Sequence, residues 1–99
     1  MGNPVERIKR HPLHLEEQDL RKKEILDQIH AGTISMGQAI KGLRITTGKT
    51  QTEYAKNVGV FPRVLINIEN EVGNPTIKTL NKIVEPFGLK VGFVENGHQ

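Results

Sequence analysis

Ninety-nine residues, 35% hydrophobic and 25% charged, have the size and makeup of one folded domain and not of a disordered chain. The absence of cysteine excludes disulfides, thiolate zinc sites and cysteine nucleophiles, and no apolar run approaches the roughly 20 residues that span a bilayer. A net charge of +3 permits a nucleic-acid partner without demanding one. With Tyr54, Phe61, Phe87 and Phe93 as the aromatic residues, the core must be aliphatic. So short a chain buries a modest fraction of its surface, which favours a dimer or a larger partner. The leading MGNPVERIKRHP has basic residues but no apolar stretch behind them, unlike a secretory signal, and a cytoplasmic location is expected.

Residues 1–12, with Gly2, Pro4 and Pro12 and no periodicity, read as a flexible amino-terminal arm. A helix is expected over 13–32. The run LEEQDLRKKEILDQIH is rich in helix formers, Ile25, Leu26 and Ile29 make a short apolar stripe, and Gly32 supplies the stop. Ser35-Met36-Gly37-Gln38 has the form of a capping box, in which the serine oxygen and the glutamine amide satisfy free backbone donors at a helix start. Behind it Ala39, Ile40 and Leu43 share one face of a helix ending near Thr47-Gly48. A second box, Thr50-Gln51-Thr52-Glu53, opens a helix with Tyr54, Ala55 and Val58 inward and Gly59 at its end. Pro62 suits the first turn of the next helix, where its missing N–H would be unpaired anyway, and Leu65 and Ile68 mark the buried side. Thr76 can cap a last helix, with Leu80, Ile83, Val84 and Phe87 in amphipathic register before Pro86 and Gly88 end it. Residues 89–94 alternate at period two and read as one short strand, which would have to pair with a second copy or another protein.

Within residues 51–69, two short helices flank a glycine turn, with small Ala55 allowing their close approach. Thr50-Gln51-x-x-Tyr54-Ala55-x-x-Val58-Gly59-Val60, followed by Leu65-x-x-Ile68-Glu69-Asn70, resembles the Xre family, the helix-turn-helix of Cro and phage repressors. The segment Gly73-Asn74-Pro75-Thr76-Ile77-x-Thr79-Leu80-x-Lys82-Ile83 matches the family's connection into its next helix. The resemblance covers roughly residues 34–87. It implies an all-α, four-to-five-helix, lambda-repressor-like domain over 33–88, with 89–99 as dimerisation strand and tail. The ending Pro86-Phe87-Gly88-Leu89-Lys90-Val91-Gly92 is similar to HipB-type antitoxins, in which such a strand pairs across a two-fold axis. That likeness implies a homodimer that represses its own operon and a HipA-type kinase toxin as partner.

Helix geometry would place the second helix in the major groove of double-stranded operator DNA, its first residues nearest the base edges. The family's base-facing positions carry over to Phe61, Pro62, Arg63, Ile66 and Asn67. Arg63 can donate twice to guanine, and Asn67 can pair with adenine. Gln51 matches the family's phosphate-contacting glutamine, and Lys49, Thr50, Lys56 and Asn70 are further backbone-contact candidates. Leu89, Val91 and Phe93 are the candidate dimerisation residues. Members usually carry Ser or Thr at the positions of Phe61 and Val64, and often at Ile66, whereas all three are apolar here. Phe61 or Ile66 can read thymine methyls, or Phe61 can pack as a staple near the helix start while Val64 enlarges the core. Diversion of this face to a protein partner is the third reading.

Other constellations point nowhere else. The four histidines are scattered, and no pair stands at a ligand spacing with a nearby carboxylate on one defined helical face, so neither metal nor cofactor is expected. Glu16, Glu17, Asp19, Glu24 and Asp27 alternate with Arg21, Lys22 and Lys23 as on a solvated helix, toxin docking being the functional alternative. Glu53 is a capping partner, and Glu69 reads as one half of an internal ion pair. No nucleophile stands beside a base and no glycine loop cradles a phosphate, so an enzyme is not expected. On the strength of that resemblance the sequence reads as a repressor and antitoxin. A stand-alone transcriptional regulator, or a protein-binding antitoxin or adaptor with little DNA affinity, are the alternatives.

Overall fold

Four of the helix starts are prescribed by local backbone chemistry. Ser35 accepts from the Gln38 N–H at 3.2 Å while Gln38 Oε1 accepts from the Ser35 N–H at 3.3 Å. Thr50 and Glu53 repeat the exchange at 3.1 and 2.9 Å, and Thr76 accepts from the Thr79 N–H at 3.1 Å. Pro62 begins the fourth helix without any side-chain cap. In this computed structural model, which describes residues 15–95, the helices are α1 (Leu15–Ala31), α2 (Met36–Thr46), α3 (Gln51–Val58), α4 (Pro62–Glu69) and α5 (Ile77–Val84). A 3-10 turn at Glu85–Phe87 closes on Gly88. The expected arm over 1–12, the first two residues of the expected amino-terminal helix and residues 96–99 lie outside the described residues.

The helices enclose two linked apolar clusters. Ile40, Tyr54, Ala55, Leu65, Ile68, Leu80, Ile83 and Val84 form the larger one, where α2 to α5 meet. Ile25, Ala39 and Leu43 form the smaller one, between α1 and α2, and Phe87 and Leu89 pack against both. Completely burying a side chain such as Leu65 stabilises the fold by about 1.5–3 kcal/mol. Val58 is half-buried against the larger cluster as expected. In α1 the expected stripe is narrower than the sequence suggests, since Ile25 is fully buried but Ile29 stands 37% exposed. The Tyr54 hydroxyl donates to the Ile83 carbonyl at 2.6 Å, near the end of α5. Its ring stacks on Phe87 with centroids 6.2 Å apart.

The approach of α2 to the end of α4 depends on two residues that sequence reading did not single out. A Cβ on Gly37 would lie 2.5 Å from the Ile68 carbonyl oxygen, so only glycine permits the contact. Glu71, at φ +61, turns its carboxylate onto the start of α2, where it accepts from the Gly37 N–H at 3.0 Å and from the Ser35 hydroxyl. A carboxylate there also meets the positive end of the helix dipole.

Residues 89–95 form no regular element, and no strand ladder occurs among the described residues. The Leu89 N–H bonds to the Val84 carbonyl, and the Val91 N–H donates to Asn81 Oδ1 at 2.8 Å. Leu89 and Val91 are thereby held half-buried on the core, while Phe93 and Val94 extend fully exposed beyond it.

Candidate nucleic-acid interface

α3 and α4 meet through Ala55, Leu65 and Ile68, which are 0%, 0% and 5% exposed. Gly59, at φ +80 in the left-handed region, ends α3 and turns the chain into α4. With Leu65, Ile68 and Glu69 buried, the opposite face of α4 presents Arg63, Ile66, Asn67 and Asn70 at i, i+3, i+4 and i+7. Arg63 and Asn70 are exposed, Ile66 and Asn67 half-buried, and Pro62 at the helix start is half-buried as well. The five candidate base-facing residues are thus gathered on the outer face and amino end of one helix.

Phe61 differs from the staple reading. It is 79% exposed, and it is Val60, one residue earlier, that packs on the cluster containing Leu65. A staple uses the residue before the cap, and Phe61 is itself the cap residue, which explains the difference. Val64 is half-buried on the same cluster, in line with enlargement of the core.

A buried polar network fixes α3 and α4 to the rest of the domain. Arg44 grips Glu69 through Nε to Oε2 at 2.7 Å and Nη2 to Oε1 at 3.0 Å, the bidentate geometry in which guanidinium and carboxylate fit best. Arg44 Nη1 donates to the Lys49 carbonyl at 2.8 Å, and Gln51 Nε2 donates to Glu69 Oε1 at 3.0 Å. The end of α2, the loop before α3, the first residue of α3 and the end of α4 are thereby joined. Glu69 is the internal ion-pair member expected from its position. Its partner Arg44 escaped sequence reading, though a cation one position past Leu43 on a helix that buries Ala39 and Ile40 was the available signal. Gln51, expected at a phosphate, has one amide donor committed to this network.

The electrostatic result is one-sided. Between residues 33 and 74 the three carboxylates are all engaged in the scaffold: Glu53 in its capping box, Glu69 with Arg44 and Glu71 at the start of α2. The ion pairs among the described residues are Arg21–Glu24, Lys23–Asp27 and Arg44–Glu69; besides Lys41 on α2, the cations left with uncompensated charge in this stretch are Lys49, Lys56 and Arg63, on or next to α3 and α4. All three are exposed, whereas the Thr50 side chain is half-buried in its cap. A helix with a polar outer face among free cations suits a polyanion with readable edges.

Among the described residues no group of histidine and carboxylate side chains could hold a metal ion, and no helix is long and apolar enough to cross a membrane. A helix-turn-helix family model matches residues 40–94, and the chain belongs to the Xre-type helix-turn-helix family of DNA-binding regulators. Among characterised proteins it is similar to the antitoxin HipB of Escherichia coli (strain K12), 34% identical over 56 residues. Those residues are 57% of this chain and 64% of the antitoxin, so the match spans less than two thirds of that protein. No solved structure matches the chain.

Proposed function

We propose that this protein binds double-stranded operator DNA as a homodimer, represses its own operon and acts as the antitoxin to a HipA-type kinase toxin. The observation that carries the DNA part is the outer face of α4, where Arg63, Ile66, Asn67 and Asn70 line up opposite the buried Leu65 and Ile68. Arg63 and Asn67 read base edges, while Lys49, Thr50, Gln51, Lys56 and Asn70 hold the phosphates that orient α4 in the groove. The second donor of the Gln51 amide remains for a phosphate after the first has met Glu69. Dimerisation is supported by the exposed apolar pair Phe93 and Val94 beside a groove of about 460 Å³ lined by Ile34, Met36 and Leu43. Similarity to the antitoxin HipB supports the antitoxin role.

Fluorescence anisotropy on the duplex preceding the protein's own gene, beside a scrambled duplex, tests the proposal. Each is measured at about 50 and 200 mM salt, between which phosphate-dominated binding falls steeply. A preference for the native duplex that survives the higher salt is expected. Equal, salt-fragile binding to both, or none, would overturn operator recognition and move the function to protein partners. A neighbouring gene without a kinase fold would leave a stand-alone regulator.

A further inference from the structure

The geometry points to the C5-methyl group of thymine as what the amino end of α4 reads, with Phe61 as the specificity-determining residue. Such readout presupposes the operator binding proposed above and adds the chemistry of one subsite to it. The other capped helix starts, at Ser35, Thr50 and Thr76, each give a side-chain oxygen to a backbone amide. Phe61 holds the equivalent place on α4, makes no cap bond, and is followed by Pro62, which has no N–H to offer. The position therefore forgoes a stabilising cap in favour of a ring that is 79% exposed, more than any other large apolar side chain before Phe93 among the described residues.

Packing does not account for that ring. Val60 takes the place against the core, and Leu65 and Ile68 anchor the helix from its other side. The surroundings decide between a protein and a nucleic acid. Arg63 stands two residues on, Lys49 lies just before α3 and Lys56 within it, and none of the three is paired within the described residues. An apolar tip on a helix pair that carries free cations complements a polyanion whose recessed edges carry apolar groups. In the major groove that group is the thymine methyl, which sets a T·A pair apart without a hydrogen bond.

Removing the methyl and nothing else tests the assignment. In the synthetic duplex preceding the protein's gene, thymines are replaced one at a time by deoxyuridine. Binding is measured for the wild type and for Phe61→Ser. Synthetic DNA holds no methylated cytosine, so any methyl detected is thymine's. For the wild type, one thymine in each half-site is expected to lose about fourfold in affinity on replacement, the worth of one buried methyl group. Phe61→Ser should bind the unmodified duplex about fourfold more weakly and be indifferent to that replacement. Serine supplies the missing cap oxygen, so a melting temperature at or above that of the wild type confirms an intact fold. Specific binding by the wild type with no uracil-sensitive position overturns thymine readout while operator binding stands, as does equal sensitivity in the serine variant. Absence of any specific binding overturns both.

Discussion

Tyr54 couples the helix-turn-helix to the last helix through one atom. Its hydroxyl satisfies the Ile83 carbonyl in the core, and burial pushes its phenol from 10.0 up to about 12. A phenol that holds its proton more tightly when folded contributes stability that is complete below pH 10 and is lost as the pH rises from 10 through 12. Tyr54→Phe should lower stability in urea at neutral pH by about 1–2 kcal/mol, because a buried carbonyl loses its partner. The variant should also lose less on going from pH 10 to 12 than the wild type does. Parallel curves through that window would remove Tyr54 as the source of the alkaline sensitivity. On the outer surface the same scale applies to the proposed base reading. Arg63→Ala and Asn67→Ala should each cost about 1–3 kcal/mol on the operator and relax sequence choice, whereas equal losses on random duplex would assign both to the phosphates.

Between elements, what could be read from sequence divides by range. Capping boxes at Ser35 and Thr50, the stop at Gly59, Pro62 at a helix start and the apolar register of α5 are short-range patterns, and each stands where the spacing predicts. The site's joints are long-range and were only half legible. Nothing in the spacing tells Glu69 that its partner lies 25 residues back, or Gly37 that its hydrogen atom faces the Ile68 carbonyl, because those choices are made when helices pack. Phe61 illustrates the same limit. The sequence allows Phe61 as a staple, and only the place taken by Val60 excludes it. The Arg44–Glu69 joint has a direct consequence. Its side chains are 11% and 1% exposed, so Glu69→Ala strands a guanidinium in the interior and should cost about 3–5 kcal/mol. Thermal melts would show it, and a drop below about 1 kcal/mol, the size seen for exposed pairs, would mean that water already reaches the pair.

At the scale of the whole molecule, residues 89–95 are the segment that calls for a covering partner. Leu89 and Val91 face the core, whereas Phe93 and Val94 are exposed beside an apolar groove, an arrangement a lone chain leaves costly. Pairing of this segment with its copy across a two-fold axis would cover both and satisfy free backbone groups. Half-sites one DNA turn apart would then require the two α4 helices of such a dimer to stand roughly 34–36 Å from each other. Deleting residues 89–99 should therefore give monomers in light scattering. That deletion also strips Leu89 and Val91 from the core, so its failure to dimerise could reflect a loosened fold. Phe93→Asp separates the two effects, because a fully exposed residue can be changed without disturbing the packing within the chain. The variant should melt as a folded monomer whose melting temperature is independent of concentration, while that of the wild type rises with concentration. Both forms should still bind random duplex, but the variant should lose the operator preference that two linked half-sites confer. A Phe93→Asp protein that remains dimeric would show that the two copies meet on another surface.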